Sequence, residues 1–208
     1  MANFYFLVFD ICMITNNYDI YPVSFGAKFI RNANIERLIP GTADYAKSKV
    51  SFVRIDPDNL SDIKALEEVA NCWDHEKFAN TIYNRARSLR ESAFDMKSKV
   101  YALINQNSKL KKIDPDNIMG LVEVEELTPK SIRLNHIQVD PQYIYLETPP
   151  VRGIGSAILR RLKDIYSQIV LNSLPESSVQ HFYSKNGFKK VNENRLTYYW
   201  EKDKFFMI

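Results

Sequence analysis

Residues 151–157 read Val-Arg-Gly-Ile-Gly-Ser-Ala and are the most informative stretch of this chain. Apolar residues recur at helical spacing from Ile154 onward, which predicts an amphipathic helix up to about Tyr166. A helix start exposes unpaired backbone N–H groups and about half a unit of positive charge. Glycines at this point let phosphate oxygens approach the backbone. The stretch therefore indicates a diphosphate-binding helix start, with a tight turn before an ordinary helix as the alternative. The residues expected to face inward are Ile154, Ile158, Leu162 and Ile165.

The glycine pattern does not match the other common phosphate-binding loops. It lacks the Lys-Ser/Thr pair of a Walker loop and the full spacing of a dinucleotide fingerprint. Nucleoside triphosphate and NAD sites are therefore disfavoured.

Around this stretch, periodicity and turn residues predict a mixed α/β domain with a largely antiparallel sheet. Residues 1–48 are expected to form an N-terminal accessory segment, and 49–208 the main domain. The apolar run Phe4–Ile14 is interpreted as a buried or edge strand, and the final strand is expected to be exposed and able to pair between subunits. Predicted strands cover 49–55, 99–105, 118–127, 131–139, 169–171, 188–191 and 195–201, and predicted helices cover 60–73, 75–93, 154–166 and 177–186.

Composition limits the classes of partner. The net charge of +3 is too small to indicate a nucleic-acid or membrane partner by itself. Cys12 and Cys72 fit no metal or redox spacing and are expected to be buried in a reducing compartment. No stretch is long and apolar enough for a transmembrane helix. We therefore expect a cytoplasmic protein with no metal site.

Four segments together resemble the GNAT family of N-acetyltransferases. The resemblance covers residues from about Lys49 to Lys202, roughly three quarters of the chain. The segments are Ile118-Met119-Gly120-Leu121-Val122-Glu123 on the third strand, Ile137-Gln138-Val139-Asp140-Pro141 on the fourth, the loop Arg152-Gly153-Ile154-Gly155-Ser156-Ala157-Ile158-Leu159, and His181-Phe182-Tyr183-Ser184-Lys185-Asn186-Gly187-Phe188.

The resemblance implies a GNAT-like sheet of about six to seven strands, splayed between the fourth and fifth strands and flanked by about four helices. The splay would hold the pantetheine arm of acetyl-CoA against the backbone of Ile137 and Val139, with the Val139 N–H near the thioester oxygen. Tyr183 matches the family tyrosine that protonates the departing thiolate, and the alternative is an aromatic packed under the sheet. The residues implied to hold the pyrophosphate are Arg152, Gly153, Ile154, Gly155, Ser156 and Ala157.

The general base remains open at this level. The fourth strand lacks the glutamate that some family members use, and the candidates are Glu123 and Glu125 on the third strand and His136 on the fourth. Each could instead be a solvated or satisfied strand residue. Arg85 is expected on the solvated side of the second helix together with Arg87 and Arg90.

The sequence favours one activity and leaves two alternatives. The leading hypothesis is an acetyl-CoA-dependent N-acetyltransferase in which a primary amine attacks directly in a ternary complex, because no cysteine lies in the recognised motifs. The alternatives are a non-catalytic acyl-CoA-binding or interaction module, and an effector that acetylates a macromolecule. The insert 142–151, which separates the proline from the loop, could cover the acceptor cleft. The acceptor stays unidentified, and the protein is expected to be a monomer or a homodimer.

Overall fold

A computed structural model of the chain describes residues 26–73, 77–91, 97–106, 112–144, 146–192 and 195–202. The predictions for Phe4–Ile14 and Cys12 lie outside these residues. Cys72 is exposed, contrary to the expectation that it is buried, because it occupies the last position of a helix.

The described strands form one mixed sheet of nine strands in the order β6-β1-β2-β3-β4-β5-β7-β9-β8. All neighbours pair antiparallel except β5 and β7, which pair parallel. The strands are β1 (Lys28–Leu38), β2 (Tyr45–Arg54), β3 (Ser98–Ile104), β4 (Ile118–Thr128), β5 (Ser131–Val139), β6 (Val151–Arg152), β7 (Gln168–Asn172), β8 (Lys189–Asn192) and β9 (Arg195–Glu201).

Four α-helices flank the sheet in the described part of the chain, as predicted. Alternate residues of each strand face opposite sides, and they contribute to two separate hydrophobic clusters. Tyr101 and Leu103 of β3 belong to one cluster with α3 and α4, whereas Val100 and Ala102 belong to the other with α1 and α2. The helices are α1 (Leu60–Cys72), α2 (Lys77–Glu91), α3 (Ile154–Ile165) and α4 (Ser177–Lys185).

Local sequence explains the start of α1. Asn59 caps α1 through its side chain, which accepts hydrogen bonds from the backbone N–H groups of Ser61 and Asp62. Ile165, which was expected to face inward, is exposed at 38%, and the apolar Leu60 at the start of α1 is exposed at 54%. Both lie at a helix end, where the apolar stripe runs past the sheet that it packs on.

The sheet extends further toward the N-terminus than expected. β1 falls in the predicted accessory segment 1–48, yet it pairs with β2 over its whole length and buries Ala33 and Ile35. β1 and the two-residue strand β6 account for the difference between nine strands and the expected six to seven. The boundary at residue 49 stays a prediction.

The final strand is not at an edge, contrary to the prediction. β9 lies between β7 and β8, so β8 forms that edge of the sheet. The reason is that the chain turns back after α4 and places β8 outside β9.

Among the described residues, no helix has the length and apolarity needed to cross a membrane.

Candidate active site

A cavity opens where β5 and β7 separate. The two strands pair from Ser131 to Leu134 on β5, and within the described part of the chain the rest of β5 has no strand partner on the β7 side. A gap between parallel strands at this point creates a cavity of about 710 Å³. The gap matches the predicted splay between the fourth and fifth family strands. The cavity is lined by residues of β5 (Asn135, His136, Ile137, Gln138, Val139), of the segment before and into α3 (Tyr143, Ile144, Val151, Arg152, Gly153, Ile154, Gly155, Ser156), and by Phe78, Asn172, Leu174, Ser178, Val179, Phe182, Tyr183 and Lys185.

The start of α3 opens into this cavity. Gly153 precedes the helix with φ of 79°, and no side chain of the described residues caps the helix start. The first-turn N–H groups of a helix have no intrahelical acceptor, so those from Gly153 to Ser156 are available as donors. Ala157 differs from the prediction, because its N–H already donates to the Gly153 carbonyl at 2.8 Å and its side chain is buried.

The two glycines of the loop serve different purposes. Gly153 supplies the left-handed backbone that turns the chain into the helix. At Gly155 a Cβ atom would lie 3.0 Å from Cζ of Phe182, so a side chain there would push against α4. The second glycine therefore allows the close packing of the two helices that border the cavity.

The insert before the loop is fastened to the edge of the sheet. The Leu38 N–H donates to the Pro150 carbonyl at 3.0 Å, and the Tyr45 hydroxyl donates to the Pro149 carbonyl at 2.8 Å. The guanidinium of Arg152 lies over the Tyr45 ring at 3.9 Å. Tyr143 packs against the cluster on the α3 side of the sheet. Tyr143 and Ile144 of the insert thus line the cavity, and its last residues are held against β1 and β2.

A buried carboxylate lies beneath the other end of the cavity. Glu123 of β4 is 3% exposed and sits directly opposite His136 of β5. A bulge leaves Asn135 as an extra residue on β5, so that two residues oppose Glu123. Both reach it, since His136 Nδ1 lies 2.7 Å from one carboxylate oxygen and Asn135 Nδ2 donates to the other at 3.2 Å.

Glu123 is ionised in this setting. Burial by itself raises the pKa of its carboxyl, but the hydrogen bonds from His136 and Asn135 and the nearby charge of Arg85 lower the pKa overall. Arg85 Nε lies 3.6 Å from the carboxylate and also donates to the Ser98 hydroxyl at 3.0 Å. Arg85 is thus half-buried and turned toward the sheet, unlike the solvated position predicted for it.

His136 lines the cavity while its Nδ1 is held by Glu123. This hydrogen bond leaves Nε2 as the ring nitrogen available to a bound molecule. The Phe78 ring packs against the imidazole with centroids 5.4 Å apart. The pair is therefore an oriented imidazole backed by a buried carboxylate.

Tyr183 lies in the wall of the cavity within an aromatic cluster. Its ring is 5% exposed and contacts Phe182, Phe188 and Tyr198 at centroid distances of 5.1, 5.8 and 6.0 Å. Burial raises the pKa of its hydroxyl to about 12. The hydroxyl therefore stays protonated at neutral pH and can serve as a proton donor.

The structure brings nearly all predicted site residues to one cavity. Ile137, Val139, His136, Tyr183 and the segment 152–156 line it, and Glu123 lies directly behind His136. Sequence reasoning missed Phe78, Asn135 and Gln138, which complete the α2 side of the cavity. The one signal for Gln138 was a polar residue between two apolar strand positions.

Comparison with solved structures places the fold. A protein from Desulfovibrio desulfuricans assigned to the GNAT family of acetyltransferases matches with a TM-score of 0.51 and 14% identity, over 73% of this chain and 98% of its own. A GNAT-family acetyltransferase from Staphylococcus aureus matches over 73% of this chain and 98% of its own, with 19% identity and a TM-score of 0.45. An acetyltransferase from Exiguobacterium matches over 73% of this chain and 93% of its own, with 16% identity and a TM-score of 0.46. No protein-family model and no curated protein matches the sequence.

Proposed function

We propose that this chain, which has the fold of the GNAT-family acetyltransferases, is an acetyl-CoA-dependent N-acetyltransferase acting on a primary amine. One observation carries the proposal. A single cavity joins an uncapped helix start, the unpaired half of a strand, a protonated tyrosine and an imidazole backed by a carboxylate. These are the parts needed to bind a diphosphate thioester and move protons around it.

The residues present fit the donor. The N–H groups from Gly153 to Ser156 would hold the pyrophosphate, and the helix dipole would add to their attraction. Arg152 and Lys185 bring positive charge to the same cavity. The free edge of β5 at Ile137 and Val139 would pair with the amide groups of the pantetheine arm.

When bound, acetyl-CoA supplies an acetyl thioester whose C–S bond breaks as the acceptor nitrogen forms a bond to the carbonyl carbon. His136 Nε2 takes the proton that the acceptor amine must lose, because a protonated amine with a pKa near 10 cannot attack. Glu123 holds the imidazole by Nδ1 and stabilises the positive charge that it gains. The chain thus provides the base and its orientation from two neighbouring strands.

Two further groups would act on the acyl end. The Val139 N–H would donate to the thioester oxygen, where negative charge would develop. The Tyr183 hydroxyl gives its proton to the departing sulfur, so that the thiol leaves in neutral form. The nitrogen loses its second proton to solvent as the amide forms. The products are an amide and the free thiol, and Tyr183 is reprotonated from solvent.

The proposal is tested by following thiol release and mass-spectrometric product formation with acetyl-CoA and a panel of primary amines. The panel includes amino-acid amides, diamines and lysine peptides. Glu123→Gln keeps the shape of the side chain but removes the charge behind His136. We expect it to lower kcat/KM by about 100-fold, within the usual range for an acid–base group.

Glu125→Gln is the matched control, since Glu125 lies two residues away on the same strand and pairs with Arg133 near the surface at 3.3 Å. It should leave the rate unchanged. Acetyl-CoA binding with no acceleration by any amine would contradict the enzyme and favour the binding module. Equal turnover by both variants would contradict the role assigned to Glu123.

A further inference from the structure

Gln138 is a buried polar side chain in the wall of the cavity. It lies on β5 between Ile137 and Val139 and is 5% exposed. Alternation along the strand turns it toward α2, away from the side on which Ile137 and Val139 pack. There its Oε1 accepts a hydrogen bond from the Ala79 N–H, in the first turn of α2, at 2.6 Å.

This hydrogen bond fixes which way the amide faces. A backbone N–H can only donate, so the atom next to Ala79 must be the oxygen of the amide. The Nε2 group is consequently directed elsewhere, and it is a buried donor without a hydrogen-bond partner among the described residues. A buried N–H donor without an acceptor costs free energy. Because this donor belongs to the wall of the cavity, it points to an oxygen of a bound ligand as its acceptor.

The position of Gln138 relative to His136 limits what that ligand is. The two residues are separated by one position on the regular end of β5, opposite Leu121 and Glu123. Their Cα atoms are therefore about 7 Å apart and their side chains share the α2 face. Hydrogen bonds of about 3 Å from each side can reach an amine nitrogen and an oxygen that are three bonds apart.

We propose that Gln138 Nε2 donates to a carbonyl oxygen of the acceptor, and that the acceptor is an α-amino carbonyl compound. In such a compound the amine lies at His136 and the carbonyl on the next carbon lies at Gln138. The subsite is formed by Phe78, His136 and Gln138. Simple alkylamines and lysine side chains have no oxygen at this distance. The inference rests on the proposed function.

Binding of two stable conjugates tests it without turnover. In both, the thiol of CoA is joined through –CH2–CO– to an amine nitrogen. One amine is L-alaninamide. The other is 3-methylbutan-2-amine, which is similar in size but has an isopropyl group in place of the carboxamide. Calorimetry at about pH 8 should show the alaninamide conjugate binding about 5- to 100-fold tighter to the wild-type protein.

Two substitutions separate recognition from packing. Gln138→Glu keeps an oxygen for the Ala79 N–H and replaces the Nε2 amide group by a second carboxyl oxygen. Gln138→Met removes both groups. We expect both variants to lose the preference for the alaninamide conjugate and to bind CoA as the wild type does. If only Gln138→Met loses the preference, Gln138 merely holds α2 and the inference is overturned.

The remaining outcomes are also decisive. If Gln138→Glu weakens acetyl-CoA but not CoA, the donor contacts the acyl group of the thioester, and the acceptor assignment is wrong. If wild-type protein binds CoA but both conjugates equally, the acceptor inference fails while the proposed function stands. Absence of binding of CoA itself to the wild-type protein would remove the proposed function.

Discussion

At the residue scale, Tyr183 shows how burial prepares a group for its proposed task. The hydroxyl sits in an aromatic cluster where a phenolate would be poorly solvated, and its pKa is raised to about 12. The hydroxyl is thus an acid that remains protonated at every pH at which the protein would work. A substitution that removes only the hydroxyl separates this role from packing of the ring.

Removal of this hydroxyl is the test. Tyr183→Phe should lower kcat by about 100-fold or more, because it removes a proton transfer that matters only in the transition state. The KM for acetyl-CoA should change little, and the loss should be similar at neutral and at mildly alkaline pH. Steady-state kinetics of thiol release measures all three.

Tyr198→Phe provides the comparison within the same cluster. Its ring lies 6.0 Å from that of Tyr183, and its hydroxyl faces Gln180 at 3.4 Å instead of the cavity. This variant should keep wild-type kinetics. Equal kinetics for the two variants would assign Tyr183 to packing alone.

Single site residues could be predicted from the sequence where a motif contained them. They could not be predicted where their role depends on a contact between different strands or helices. Tyr183 and the loop from Arg152 were assigned from motifs, and both line the cavity. The contact between Glu123 and His136 depends on a bulge at Asn135, and no residue type in the strand predicts that bulge. Gln138 was passed over because its importance lies in a hydrogen bond to α2, far away in sequence.

At the element scale, the N-terminus of α1 carries a buried acid that is unrelated to the cavity. Asp62 is 2% exposed, and its carboxylate accepts the Asp56 N–H at 3.1 Å. Burial raises its pKa to about 6, the hydrogen bond from Asp56 opposes this, and the negative charge of Asp56 adds to it. The folded state therefore binds a proton more tightly than the unfolded state.

This linkage predicts how stability changes with pH. Because the pKa rises on folding, stability falls as pH increases from near 3.8 to about 6. Asp62→Asn removes the titration and keeps an oxygen for Asp56. It should raise the free energy of unfolding on the order of 2–3 kcal/mol at neutral pH, with the gain vanishing toward pH 4. Urea denaturation at both pH values measures it.

A neighbouring acid supplies the control. Asp58 lies in the same turn but is exposed. Asp58→Asn should leave the pH dependence of unfolding as it is in the wild type. If Asp62→Asn shows no gain at neutral pH, the carboxyl is better solvated than its burial indicates.

Element boundaries were the most predictable part of the fold. The residues of β5 and β9 coincide with those predicted, because turn residues mark both ends. The position of β9 inside the sheet was not predictable, since strand order depends on packing between distant segments. β1 was missed because it mixes Asn and Arg with buried alanine and isoleucine.

At the scale of the whole molecule, one separation between strands organises the candidate site. The sheet is continuous on both sides of the gap, so β5 and β7 hold its walls in fixed positions. The start of α3 lies on one side of the sheet, and His136 and Glu123 face α2 on the other. A donor passing through the gap would present its acyl group to the α2 side.

The central claim is that the start of α3 binds the diphosphate of acetyl-CoA, and calorimetry with Ser156→Asp tests it most directly. Ser156 lines the cavity in the first turn of α3. An acidic residue there suits the helix dipole, so the fold is kept, whereas a side chain at Gly155 would push on Phe182. Ser88→Asp changes the net charge equally on an exposed face of α2.

We predict that wild-type protein and Ser88→Asp bind acetyl-CoA alike, while Ser156→Asp binds it at least about tenfold more weakly, because two negative charges then face each other at short range. Equal affinity in all three proteins, or no binding by the wild type, would contradict the account.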